Sequence, residues 1–170
     1  MFLRIKKINN IKYAYLVGNK WYKRKMKGRG KGSRQKVKKY LGRVLSYNIE
    51  NNVDFLEFVG SDVDKYLENR DYEQVLKDLI AWEFSRHGIN DDVLVYHDKC
   101  KVVKDNREIC VRLNNGMLCS LTLKRLLMFE GKGSEPEVGK RLARAFVEAG
   151  IDVPLEVFIG LFEKVFRGEE

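Results

Sequence analysis

Arg34-Gln35-Lys36-Val37-Lys38-Lys39-Tyr40-Leu41-Gly42 has the two-residue period of a β-strand. Arg34, Lys36, Lys38 and Tyr40 fall on one side, and Gln35, Val37, Lys39 and Leu41 on the other. The pattern predicts a strand that turns Val37 and Leu41 inward and spreads basic and aromatic residues over the opposite face, with Gly42 closing the unit. Two earlier segments read the same way. Phe2 to Ile8 sets Phe2, Arg4, Lys6 and Ile8 against Leu3, Ile5 and Lys7, and Ile11 to Val17 puts Ile11, Tyr13, Tyr15 and Val17 on one face. Asn9-Asn10 between them is a turn signal, because Asn tolerates left-handed backbone angles. Gly18-Asn19 is a second turn candidate, with Trp21 to Lys27 a third strand or its extension. Gly28-Arg29-Gly30-Lys31-Gly32 has nothing to bury and reads as a mobile cationic loop. Residues 1–44 are thus expected to form a small three-stranded antiparallel module.

The charge distribution gives that module a purpose. Residues 1–43 hold sixteen Lys or Arg and no Asp or Glu. The whole chain has 33 basic and 24 acidic residues, so residues 44–170 carry seventeen basic against 24 acidic: a head at +16 and a body at −7. Like charge at that density repels itself unless a polyanion balances it. Nucleic acid suits, because each phosphate met by Lys or Arg releases a condensed counterion. Ribbons of two or three strands fit the DNA major groove, where Arg reads guanine and most Lys contacts go to phosphate. The candidate nucleic-acid-binding residues are Arg4, Lys6, Lys12, Tyr13, Tyr15, Lys23, Arg24, Lys25, Arg29, Lys31, Arg34, Lys36, Lys38 and Tyr40. DNA is expected in preference to RNA. The placement of the tyrosines discriminates: tyrosines in the core favour a duplex, whereas tyrosines exposed beside Arg34 and Lys36 favour stacking on the unpaired bases of RNA or single strands. The plainer alternative is a solvated Lys-rich surface over a small core of Tyr13, Tyr15 and Trp21.

Three segments carry a resemblance: Phe2-Leu3-Arg4-Ile5-Lys6-Lys7, Ile11-Lys12-Tyr13-Ala14-Tyr15-Leu16-Val17, and Ser33-Arg34-Gln35-Lys36-Val37-Lys38-Lys39-Tyr40-Leu41-Gly42-Arg43. Together they resemble the N-terminal segment of insertion-sequence DDE transposases, a three-stranded DNA-binding module of the AP2 and integrase N-terminal type. The resemblance covers about the first 43 residues and departs from the family by the insertion Asn19 to Gly32. It implies DNA engagement through the strands. Transposition chemistry is not carried over, because too few residues follow for the catalytic domain.

The body, residues 45–170, reads as α+β: helices over about 62–87, a β-meander over about 93–121 and a helical hairpin over about 135–167. Ser61 reads as an N-cap, and Val75, Leu76, Leu79 and Ile80 have helical spacing up to Gly88. Lys104-Asp105-Asn106-Arg107 and Asn114-Asn115-Gly116 are hairpin turns. Leu123 to Phe129 is ambiguous, with a short helix one reading. Ser134-Glu135-Pro136-Glu137 is a capping box, Gly150 a stop, and Asp152 the expected cap of the last helix. The apolar stripe Val157, Phe158, Leu161, Phe162 and Val165 either completes the body core or makes a homodimer through residues 154–166.

Chemistry is harder to find. His97, Cys100, Cys110 and Cys119 supply four zinc-type ligands without finger spacing, and buried structural cysteines are the expected outcome. Asp91, Asp92, Asp98 and Glu108 are the carboxylates a metal-dependent nuclease would use, yet no acid-x-Lys pattern sits on a clear strand. His87, before Gly88, fits a helix C-terminus better than a general base. Neither a catalytic residue nor a cofactor is assigned. With no signal-peptide run, no span-length apolar stretch and three cysteines, a cytoplasmic protein with no membrane partner is expected. Scarce Gln (Gln35, Gln74) and Thr (Thr122) beside abundant Lys and Glu resemble thermophile usage, and an archaeal-type source is expected.

Overall fold

The computed structural model describes residues 1–22 and 32–167. Among these the chain is α+β. Strands β1 (Phe2–Ile8), β2 (Ile11–Tyr22) and β3 (Gly32–Ser46) pair antiparallel in chain order. Asn9 and Asn10, at φ 48° and 64°, make the expected tight turn between β1 and β2. Gly18-Asn19 does not turn. β2 runs through it with Gly18 opposite Lys36 and Asn19 opposite Gln35, so Trp21 and Tyr22 extend β2. A Cβ on Gly18 would stand 3.4 Å from Lys38 Cε, an ordinary van der Waals contact, so the Lys38 side chain lies over this side of the sheet.

The facing of β3 also departs from simple alternation. Its pairing with β2 slips twice, between Ala14 and Tyr15 and between Leu16 and Val17, leaving Leu41 and Lys38 as the extra residues of two β-bulges. Each extra residue reverses the alternation beyond it. Tyr40 therefore lands opposite Tyr15, and Val37 opposite Val17, on the face away from Arg34 and Lys36. Leu41 is buried as expected, but Val37 is exposed.

β3 continues past residue 44. Arg43 to Ser46 pair in parallel with Ile109 to Arg112 of β6 (Arg107–Leu113), so the expected module boundary falls inside a strand that joins head to body. The sheet has the order β1-β2-β3-β6-β5-β4, where β4 is Val93–Tyr96 and β5 is Lys101–Lys104, and β7 (Gly116–Leu118) also pairs with β6. The β4 to β7 meander uses the expected turns, with Asp105, Asn106 and Asn114 at positive φ. Gly42, at φ 132°, lies where β3 meets β6; a Cβ there would sit 2.6 Å from the Glu108 carbonyl oxygen.

The helices cover the body. α1 (Phe55–Val59) has no counterpart in the sequence reading, its five residues being too few to show a period. It is followed by α2 (Val63–Glu68) and α3 (Tyr72–Arg86), and then by α4 (Ser120–Leu127), which resolves the ambiguous stretch as a helix. The hairpin α5 (Glu135–Ala149) and α6 (Leu155–Arg167) follows, with the Ser134/Glu137 capping box and Gly150 at φ 76° as expected. The main core joins Phe55, Leu76, Leu79, Val111, Leu113, Leu142 and Leu161, while a smaller one joins Ala14, Leu41 and Val44 to Cys110, Met117 and Cys119. This second cluster seats the head on the body.

Two caps differ from expectation. Asp62, rather than Ser61, caps α2 by accepting from the Val63 amide. Asp152 does not cap α6, which starts three residues later. Instead its carboxylate meets Arg86 at 3.1 Å and its amide donates to Glu83 Oε1 at 2.9 Å. Glu83 is fully buried, and Oε1 also accepts from Arg86 and from Asn114. His87 is the residue at the C-terminal end of α3, buried with Nδ1 2.8 Å from the Glu83 carbonyl oxygen, the expected helix-end position. In α6, Val157 and Leu161 are buried in the main core, and Phe158 and Phe162 pack partly buried against it. The stripe is thus used within the chain, with Leu155 and Ile159 left exposed. No helix among the described residues is long and apolar enough to cross a membrane.

Candidate nucleic-acid interface

Side chains alternate along each strand and paired residues share a face, so the register divides the head into two surfaces. One carries Lys7, Lys12, Lys20, Arg34, Lys36 and Lys39. Lys38 joins them, since its side chain lies on the Gly18 side. Near β1 this face is apolar, with Leu3 and Leu16 on the smaller core. Beyond Val17 the sheet loses β1 as a neighbour and continues as a two-stranded ribbon of β2 and β3. Tyr22 lies in this ribbon with Arg34 5.3 Å and Lys20 5.5 Å from its ring centre.

The other surface holds Arg4, Lys6, Tyr13, Tyr15, Tyr40 and Arg43. Tyr40 stands 5.4 Å from Tyr15 and 6.3 Å from Tyr13 between ring centres, and Lys6 lies 5.2 Å over Tyr15. Arg4 donates to Gln35 Oε1. Tyr13 and Tyr15 are half-buried, while Tyr40 is 51% exposed. The tyrosines thus satisfy neither sequence alternative: they are not core residues, nor do they stand beside Arg34 and Lys36. Of the other expected residues, Lys23, Arg24, Lys25, Arg29 and Lys31 lie outside the described residues.

The electrostatics of the two halves differ sharply. Ten of the sixteen basic residues of the head are described, and none forms an ion pair. In the body, by contrast, Arg70 pairs with Asp78, Lys101 with Glu108, Lys104 with Asp92, and Arg125 and Arg144 with Glu148. Moreover, Lys7 stands directly across from Lys12, and Lys20 across from Arg34. Like charges placed directly opposite one another destabilise a sheet, and an external anion relieves them. Body carboxylates could have supplied that counter-charge, yet among the described residues none does.

Among the described residues, a groove opens on each surface of the head. The larger, about 920 Å³, runs between β1 and helices α4 and α5. Its Arg125 and Arg144 are held by Glu148, and Arg141 donates to the carbonyl oxygens of Glu130 and Lys132. The smaller, about 770 Å³, lies on the tyrosine surface where β3 meets β6, and brings Tyr13, Tyr40 and Arg43 to Tyr47 and Arg107. Arg107 is 64 positions from Arg43, and no local pattern marks it as a partner. Lys39 and Arg43, by contrast, sit in the basic strand itself; strict alternation put Lys39 on the wrong face.

The other ligand sets do not assemble. Cys110 and Cys119 are buried in the head–body cluster, Cys100 lies in the β4–β5 connection, and no group of three or more His, Cys, Asp or Glu among the described residues could hold a metal. Cys110 and Cys119 interact with each other: their side-chain hydrogen bond and then burial push the Cys110 thiol up, while the same bond and the Thr122 amide and hydroxyl hold Cys119 down against its burial. Asp92 and Glu108 are committed to Lys104 and Lys101. Compared with protein-family models, curated proteins and solved structures, the chain finds no match.

Proposed function

We propose that this chain binds nucleic acid, duplex DNA in preference to RNA, with the cationic face of the β2–β3 ribbon against the phosphate backbone. The observation that carries the reading is the pair of like-charge crossings, Lys7 with Lys12 and Lys20 with Arg34, in a head whose described cations have no carboxylate partner. A two-stranded ribbon is narrow enough for the major groove; Lys20, Arg34 and Lys36 lie on it, and Lys38 and Lys39 continue the cationic face where β1 joins the sheet. The resemblance to the DNA-binding segment of insertion-sequence transposases points the same way. No catalytic step belongs to this reading; a regulatory or architectural role follows from binding alone. A second reading, contact with unpaired bases, is favoured by the exposed Tyr40 ring on the opposite surface.

Fluorescence anisotropy with a duplex, the matching single strand and an RNA of the same sequence, at one fixed salt concentration, separates these readings. The duplex is expected to bind tightest. A single strand or RNA that outcompetes it would transfer the function to the tyrosine surface, and no binding to any of the three would end the proposal.

A further inference from the structure

The smaller groove combines three properties that the ribbon lacks. It is concave, and its volume of about 770 Å³ falls in the range of small-ligand sites. It has an aromatic wall: one flank of Tyr40 packs on Tyr13 and Tyr15 while half of the residue remains open. It also has free positive charge. Lys104 and Glu108, both in the lining, are already tied to Asp92 and Lys101. Arg43 and Arg107 pair with no carboxylate among the described residues, and Asp105 on the rim is the one lining carboxylate without an ion pair. Two guanidinium groups against one carboxylate leave the groove net positive. Arg107 lines the same groove as Tyr40; burial and the neighbouring tyrosines push the Tyr40 hydroxyl up, and the Arg107 charge pulls it down against them.

A flat ring to stack on a tyrosine and a phosphate to accept from arginine is the chemistry of a nucleotide. We infer that the groove between Tyr40, Arg43 and Arg107 takes one nucleoside phosphate, with its base against Tyr40 and its phosphate on the two arginines. Two sources share that chemistry: an unpaired nucleotide at the end of a strand held by the head, and a free nucleotide. Only the first rests on the nucleic-acid reading. Its consequence is a preference for DNA ends or unpaired positions over continuous duplex.

The test uses the full chain, a blunt duplex, the same duplex with a 5′-phosphorylated single-stranded overhang containing 2-aminopurine, and free dAMP. If the strand end is the ligand, the overhang substrate binds about tenfold tighter than the blunt one, as expected for one stacked base, and 2-aminopurine fluorescence is quenched. Arg107→Gln then removes the advantage without changing blunt-duplex affinity, and Tyr40→Leu removes the quenching. If the free nucleotide is the ligand, dAMP binds the wild type, Arg107→Gln abolishes that binding, and the overhang confers nothing. Equal affinity for both duplexes together with no dAMP binding overturns the inference, as does any advantage that survives Arg107→Gln. Blunt-duplex binding is read separately, so its failure would count against the ribbon and not against the groove.

Discussion

Replacing Gly42 with Ala tests how head and body are joined. The residue has φ 132°, a region open essentially only to glycine, and a Cβ would meet the Glu108 carbonyl oxygen at 2.6 Å and the Ile109 Cα at 2.8 Å. Both neighbours are backbone of β6, so no side chain can swing aside. Relief requires either a flip of the Gly42 backbone or separation of β3 from β6 at the start of the four-residue parallel pairing. Strained backbone of this kind costs about 1–3 kcal/mol, and partial loss of the pairing adds to it, for a total of about 3 kcal/mol. At a typical urea m-value of about 2 kcal/mol/M, the unfolding midpoint should fall by about 1.5 M. Hydrogen exchange localises the effect: the amides of Arg43 to Ser46 should lose protection while those of α5 keep theirs. An unchanged midpoint with full protection at Arg43 to Ser46 would refute the argument that β3 and β6 are locked through Gly42.

Three further outcomes follow from particular contacts. Arg34→Glu converts the like-charge crossing with Lys20 into an opposite pair, which should stabilise the chain by about 0.5–1 kcal/mol while weakening duplex binding by at least tenfold; thermal melts and anisotropy read the two effects independently. Glu83 has its carboxyl raised by burial, so folding is helped by the proton it keeps. Its contribution is full below the unfolded value of about 4.3 and is lost as pH rises through the raised folded pKa. Glu83→Gln should therefore gain on the wild type in urea titrations run at increasing pH from about 4 upward, and a constant difference would contradict the sign. In α6, Val157→Asp should unfold the chain, whereas Ile159→Lys at a half-exposed position should leave stability within about 0.5 kcal/mol and the sedimentation coefficient unchanged. A fall in mass for Ile159→Lys would instead point to a homodimer through residues 154–166.

Much of the fold was legible because its signals are local. Asn9-Asn10, Asp105-Asn106 and Asn114 adopt the left-handed angles their identity favours, and the Ser134/Glu137 box and Gly150 bracket α5 as residue chemistry requires. What escaped depends on distant partners. The two bulges in β3 arise from its pairing with β2, so strict alternation misplaced Val37 and Tyr40 relative to Arg34. Asp152 lies near a helix start in sequence, but its carboxylate and amide are taken by Arg86 and the buried Glu83. The same holds for the candidate site: the cationic strand is visible residue by residue, whereas the groove with Arg107 exists only because β3 pairs with β6.

The central claim is that the described cations of the head, which have no carboxylate partner among the described residues, neutralise phosphates, and the salt dependence of duplex affinity measures this most directly. If Lys20, Arg34, Lys36, Lys38 and Lys39 each displace one counterion, log K should fall against log salt with a slope of about −4.5. Between ~50 and ~200 mM that is a loss on the order of 500-fold. A slope at or beyond that value, reduced by about one upon Arg34→Glu, agrees with the account. A flat response would contradict it, and with it the assignment of the ribbon as a nucleic-acid-binding surface.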